Sequence, residues 1–369
     1  MVMWSIAKRP VFCVLLAAVA LLAACSRSSP PQDTQAQKPA AAPAPGPRVY
    51  VSDETGSAIV VVDPAGGSVV QRIAVGKRPR GIHLSRDGTQ LFVALSGSPI
   101  AGPGVDESKL PPPDRTADGI GVVDLASGTL VRKYQSGQDP ESFAISNDGR
   151  KLFVSNEETA ELSVLDLESG AIVQRVKVGE EPEGVTIRPD GRVVYVTCEA
   201  NNEVVAVDTT TYKVLARIET GPRPRAIAFD RDGSTAFVSS ENGAAVTVFD
   251  PATHKVTGTI EIPRTEGTPT PPRPMGLVLS PDGARIFVSL GRAKSIAVVD
   301  VATRALLRTI EDVGTRPWGI GVSQDGLTLY TANGPSGDVS VVDIESGKTE
   351  RRLQTGGSPW GIAVAAARN

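Results

Sequence analysis

Apolar residues in this chain come in short bursts. From residue 48 on, runs such as Val193-Val194-Tyr195-Val196 and Val204-Val205-Ala206-Val207 are separated by stretches rich in Gly, Pro, Asp and Asn. Such a pattern predicts short strands joined by tight turns. Seven of the runs end in aspartate: Asp63, Asp124, Asp166, Asp208, Asp250, Asp300 and Asp343. Three successive intervals, from 124 to 166 to 208 to 250, are 42 residues each, and the others are 61, 50 and 43. A period in the low forties is that of a four-stranded propeller blade.

One unit spells out the blade. Gly184 to Ile187 is a first strand, and Asp190-Gly191 is a hairpin turn whose glycine supplies the positive φ. Val193 to Val196 is the second strand, Glu203 to Asp208 the third and Tyr212 to Ile218 the fourth. The Asp-Gly turn recurs at 87–88, 148–149, 232–233, 282–283 and 325–326. The seventh unit lacks it because it is split. The C-terminal end supplies only a first strand, Gly361 to Val364, and the domain opens with a second strand, Val49-Tyr50-Val51. The expected fold is an all-β, seven-bladed propeller over residues 48–369, closed by pairing the two ends so that no sheet edge is left open.

Composition narrows the chemistry. A net charge of -3 argues against a nucleic-acid partner. Of three cysteines, Cys13 and Cys25 lie near the N-terminus and Cys198 stands alone, so no disulfide is expected inside the propeller. Two histidines, His83 and His254, are too few for a histidine metal cluster, and no Cys-x-x-Cys-His stretch is present to hold haem. No cofactor and no metal are expected.

The N-terminus reads as an address. Lys8 and Arg9 precede an apolar run from Val11 to Ala24, the layout of a signal peptide over residues 1–24. Leu22-Ala23-Ala24-Cys25 resembles a bacterial lipobox, which implies lipidation of Cys25. Residues 25–47, rich in Pro, Ala, Gln and Ser, read as a disordered tether. Ser26 resembles the sorting signal for the outer membrane. The expectation is a periplasmic monomer that meets the membrane through its lipid anchor.

The wording of the repeat carries a family likeness. Tyr195-Val196-Thr197-Cys198, Phe153-Val154-Ser155-Asn156 and Tyr50-Val51-Ser52-Asp53 resemble the YVTN-type repeat. The chain is similar over residues 48–365 to YncE-like propellers and to propellers associated with pyrroloquinoline quinone-dependent catabolism. The likeness implies the fold and leaves function open, since propeller lactonases and the haem d1 propeller lie in the same structural neighbourhood.

Candidate site residues come from topology. In a four-strand meander, blade-to-blade connections and second-to-third loops share one face. The two long insertions, residues 96–119 and 263–273, therefore decorate that face. So does a ring of x-Pro-x connections: Arg78-Pro79-Arg80, Asp139-Pro140-Glu141, Glu181-Pro182-Glu183, Arg223-Pro224-Arg225, Arg273-Pro274-Met275, Arg316-Pro317-Trp318 and Ser358-Pro359-Trp360. Two arrangements suit these residues. In one, Arg80 and Arg225 fork onto the carboxylates of an anion while Trp318 and Trp360 stack a planar or apolar group. In the other, Arg80 pairs with Glu141, Arg225 pairs with Glu183, and the tryptophans plug the channel. His83 sits where other first strands have Ala144, Thr186, Ala228, Val278, Gly321 and Ala363, and it is the one weak catalytic candidate. His254 reads as a surface residue and the pair Glu157-Glu158 as loop charge.

No G-x-S-x-G, H-E-x-x-H or P-loop occurs. The leading expectation is a non-enzymatic binding or scaffold propeller for a small anionic ligand or a periplasmic protein. The alternatives are a lactonase-type hydrolase and an accessory of quinone- or cytochrome c-linked oxidation.

Overall fold

The computed structural model describes residues 47–100, 106–266 and 270–366. Cys25, the signal segment and the tether up to residue 46 lie outside the described residues. Strands group into seven four-stranded antiparallel sheets, arranged as blades in a ring. Blade 1 runs through Pro79–Leu84, Gln90–Leu95, Gly119–Asp124 and Thr129–Tyr134. Blades 2 to 6 open with inner strands Pro140–Ile145, Pro182–Ile187, Pro224–Phe229, Leu277–Leu279 and Pro317–Val322. Blade 7 is composite: Pro359–Ala365 pairs with Arg48–Asp53, followed by Ala58–Asp63 and Ser68–Ala74. Val49 faces Val364, Tyr50 faces Ala363 and Val51 faces Ile362, so the two ends complete one sheet.

The apolar bursts follow from how blades pack. Second and third strands lie between neighbouring sheets on both faces, so Val193–Cys198 is buried at every position and needs no alternation. The core is accordingly seven clusters, one at each seam between adjacent blades. Outer strands are exposed except near one end, where a single large residue (Ile73, Tyr134, Val176, Ile218, Ile260, Ile310 or Leu353) closes the seam. The seven repeat aspartates are turn formers. Each accepts a backbone N–H two or three residues on, from Gly66, Ser127, Ser169, Thr211, Ala252, Thr303 and Ser346 in order.

One local device positions the site. In blades 1, 2, 3, 4, 6 and 7 the inner strand leaves register just after its opening proline and regains it three residues later. A hydroxyl on the second strand bridges the gap. Thr197 Oγ1 accepts from Gly184 N at 2.7 Å and donates to Arg225 O of the next blade at 3.0 Å. Ser52, Ser155, Ser239 and Ser289 make the same link to the carbonyls of Arg80, Glu183, Met275 and Trp318, at 2.5–2.7 Å. The bulge turns the residue after each proline out of the ladder, and the hydroxyl ties its backbone to the neighbouring blade. The seams are tight here: a Cβ on Gly184 would lie 2.2 Å from Arg225 O, and one on Gly319 2.5 Å from Trp360 O.

Candidate functional site

Three circles of residues crowd the end of the ring where the inner strands begin. The residues after the prolines form the first: Arg80, Glu141, Glu183, Arg225, Met275, Trp318 and Trp360 in blade order. The residues preceding the prolines form the second. Five of these, Arg78, Asp139, Glu181, Arg223 and Arg316, hold left-handed φ values of 44–60°, a strain maintained by the surrounding turn. The third is the residue following each YVTN-like tetrad: Glu54, Ser96, Glu157, Glu199, Glu241, Gly291 and Gly334. Sequence reading missed its four glutamates. The signal was there, since Glu follows the YVTN-like tetrad in four of seven repeats, but Glu157 was read as loop charge.

Two guanidinium centres organise the acids. Arg80 is ion-paired with the fully buried Glu141, and its nitrogens lie 3.9 Å from Glu54 and 3.8 Å from Glu157. Arg78 binds Glu54 at 3.0 Å and lies 3.7 Å from Asp139. On the other side Arg225 holds Glu183 at 2.9 Å, Glu241 at 2.8 Å and Glu199, while Arg223 reaches Glu199 at 2.5 Å and Glu241 at 3.5 Å. Both cross-blade pairs, Arg80 with Glu141 and Arg225 with Glu183, therefore exist. Arg80 Nη1 is engaged by Glu141, whereas Nε makes no hydrogen bond, so this guanidinium retains one donor.

Burial sets the protonation states. Glu199 is pushed up to about 9, first by burial and then by the negative charge of Glu183. Burial also works to raise Glu183, but Arg225 and Arg80 outweigh it and hold it below its ordinary value. The two titrate together, with Glu199 the member that is raised and Glu183 the one held low. Glu157 is raised by burial, which Arg80 counteracts and the charges of Glu183 and Asp139 reinforce. Its side chain nonetheless keeps 37% of its surface open, in contrast to Glu141 and Glu199. Oxygens of Asp139, Glu141 and Glu157 lie within 4.8 Å of one another, a spacing a cation would suit. Arg78 and Arg80 already supply the positive charge there.

Trp318 and Trp360 adjoin with centroids 5.4 Å apart and planes at 49°. Arg80 lies over Trp360 at 5.2 Å, and Arg225 and Arg316 over Trp318 at 5.3 and 4.8 Å. Beside them is a pocket of about 270 Å³ lined by Glu54, Arg316, Trp318, Gly334, Ser358 and Trp360, among others. A larger hollow, about 500 Å³, lies among turn residues such as Ser85, Asp87 and Gln324 at the opposite ends of the inner strands. Its Asp87 is occupied by Ser85 and Thr89.

His83 is not at this site. It lies three residues beyond Arg80 on the same strand, roughly 10 Å along, edge-on to Phe143 at 5.0 Å. It is exposed, with protein packed around it, and desolvation by those surroundings pulls its pKa down to about 4. The imidazole is neutral at pH 7. His254 is not a plain surface residue either: it is half-buried, with Nδ1 3.4 Å from the Tyr195 hydroxyl. Both insertions reach the crowded end. Arg115 bridges Asp118 at 3.4 Å and Glu158 of blade 2 at 3.0 Å, and Arg273 bonds Asn242.

Comparison with known proteins bears on this site. Residues 208–360 match the family described as "Lactonase, 7-bladed beta-propeller", a segment that holds Arg223, Arg225, Glu241, Trp318 and Trp360. A search of curated proteins gives no significant match. Among solved structures, the periplasmic gluconolactonase PpgL of Pseudomonas aeruginosa is 23% identical with a TM-score of 0.70, over 87% of this chain and 99% of that one. A candidate 6-phosphogluconolactonase of Bacteroides fragilis is 16% identical with a TM-score of 0.68, over 89% and 100%. Hydrazine synthase of Kuenenia stuttgartiensis is 21% identical with a TM-score of 0.58, over 72% and 77%. At these identities the structural likeness shows the seven-bladed fold. The family match over residues 208–360 is what favours the hydrolase alternative over a non-enzymatic scaffold.

Proposed function

We propose that the protein is a hydrolase of cyclic esters, acting on sugar-acid lactones where the inner strands begin. One observation carries the reading. In a chain with a lactonase-family segment, the accessible carboxylate of Glu157 stands 3.8 Å from a buried guanidinium whose Nε has no hydrogen-bond partner, beside a tryptophan platform. Trp318 and Trp360 present ring faces that suit the C–H face of a sugar ring. Arg80 offers N–H groups to the carbonyl oxygen as negative charge builds on it. Glu157, its pKa raised, takes the proton from the attacking water. Water adds to the carbonyl carbon, the ring C–O bond breaks as Glu157 passes the proton on to the leaving ring oxygen, and the open hydroxy acid leaves.

The test uses the full-length chain and a pH-stat on D-glucono-1,5-lactone and related aldonolactones, with spontaneous hydrolysis subtracted. The rate should rise with pH through the raised pKa of Glu157, because only its ionised form is a base. Glu157→Gln should lower kcat by roughly 100-fold or more with little change in Tm. No turnover of any lactone, or an unaffected Glu157→Gln enzyme, sinks the reading.

We further propose that Cys25 anchors this propeller to a membrane on the periplasmic side. Two or more acyl chains, at about 0.8 kcal/mol per CH₂, make such attachment stable. Cys25→Ser should move the protein from the membrane to the soluble fraction. Retention of the variant on membranes counts against the anchor.

A further inference from the structure

Charge is shared unevenly around the site. Across blades 7, 1, 2, 3 and 4 the arginines are matched: Arg78 and Arg80 by Glu54, Glu141, Asp139 and Glu157, and Arg223 and Arg225 by Glu183, Glu199 and Glu241. In blades 5 and 6 the third circle carries Gly291 and Gly334 in place of glutamate. Of the cations on that side, Arg273 bonds Asn242 and Arg292 is exposed, which leaves Arg316 as the half-buried one. Among the described residues no carboxylate lies within 4.0 Å of it, and it donates no hydrogen bond; its guanidinium rests on Trp318 at 4.8 Å. It is half-buried and lines the pocket of about 270 Å³ together with Trp318 and Trp360. Burial works against its charge, Glu241 works for it, and Arg225, Arg292 and Arg223 add repulsion, with the net effect a lowered pKa.

A half-buried cation without a counter-ion is an unfavourable arrangement. Its guanidinium lies over the Trp318 ring with its donors unused, and a carboxylate or phosphate could take two of them in a two-pronged bond. We propose that this pocket is an anion subsite: Arg316 binds a carboxylate or phosphate on a ligand whose body lies against Trp318 and Trp360. Resting on the lactone reading, this makes the substrate an anionic lactone, one bearing an acidic group besides its ring ester. It also relocates the anion contact expected of Arg80 and Arg225, whose charge the glutamates absorb.

Binding can be measured without turnover. The full-length protein is titrated calorimetrically with inorganic phosphate, D-glucuronate and D-glucose, and the series is repeated with Arg316→Met and Arg316→Lys. The expected result is binding of one or both anions and not of glucose, weakened at least tenfold in Arg316→Met. Arg316→Lys should keep part of the affinity, and all three proteins should melt within a few degrees of one another. Preference for phosphate marks a phosphorylated ligand; preference for glucuronate marks a sugar acid. Glucose binding as well as the anions do, or anion binding unchanged in Arg316→Met, overturns the subsite. A Met variant that unfolds leaves the decision to Arg316→Lys, in which full affinity for a two-pronged anion overturns it too. Anion binding lost in Arg316→Met without hydrolysis of any lactone upholds the subsite and removes the lactonase. Hydrolysis of neutral lactones with no anion binding does the reverse.

Discussion

A chain that begins at Glu54 should fail to form the propeller that a chain beginning at Pro47 forms. The difference is the strand Arg48–Asp53, which is hydrogen-bonded on one side to Ala58–Asp63 and on the other to Pro359–Ala365. Removing it frees two sheet edges in a fold that otherwise closes on itself. It also removes Val49, Tyr50 and Val51, all buried, from the seams with blades 6 and 1. Burial of such side chains contributes about 1.5–3 kcal/mol each. With the lost ladder this rivals the roughly 5–15 kcal/mol that stabilises a whole domain. The shorter chain should aggregate or melt without a cooperative transition, and a peptide spanning residues 47–54 added in trans should raise its Tm by refilling the gap. Equal melting temperatures for the two chains would show that closure contributes nothing.

Arg225→Met should be the most damaging single substitution in the site. It strands the buried Glu183 carboxylate together with Glu199 and Glu241, with only the half-exposed Arg223 near the latter two. Breaking a buried ionic network at one member costs about 3–5 kcal/mol, roughly 6–10 °C in Tm for a large domain. The loss should shrink towards pH 5, as the stranded glutamates take up protons; a loss that is small or independent of pH contradicts the network. A companion variant checks the proton on Glu199. The folded state holds that proton up to about 9, whereas the ordinary glutamate value is 4.5. The folded chain therefore binds more protons than the unfolded chain between these values, and stability falls as pH rises through that window. Glu199→Gln keeps an N–H donor and no longer titrates, so its Tm should decline less from pH 5 to 9. An unchanged slope would place the proton elsewhere.

The resulting picture is a rigid ring with a strained, charged end. The second-strand hydroxyls hold the backbone of the circle after the prolines, blade to blade. The two arginine centres hold its side chains. Trp318, Trp360 and Arg316 remain as the part with unused binding capacity, which is where a ligand meets least competition from the protein itself.

The blade count, the strand order and the closure by both ends were legible from the chain alone, because each depends on local chemistry repeated seven times. An Asp that caps a turn, a Gly that takes positive φ and an apolar run buried on both faces act within a few residues, so their spacing is already the fold. The adjacency of Arg80 to Glu141 and of Glu183 to Arg225 was legible too, since neighbouring blades place equivalent residues side by side. What only the tertiary structure decided was where side chains point and who neutralises whom. The bulge after each proline turns the first circle out of its ladder, and only that turn brings Glu54, Glu157, Glu199 and Glu241 from the second strands onto the same arginines. Electrostatic balance is a sum over groups far apart in the chain, so no local pattern could reveal that Arg225 carries three glutamates while Arg316 carries none. His83 is the converse case: an unusual residue in its repeat column, set by the fold about 10 Å from the charged circles and kept neutral by its surroundings.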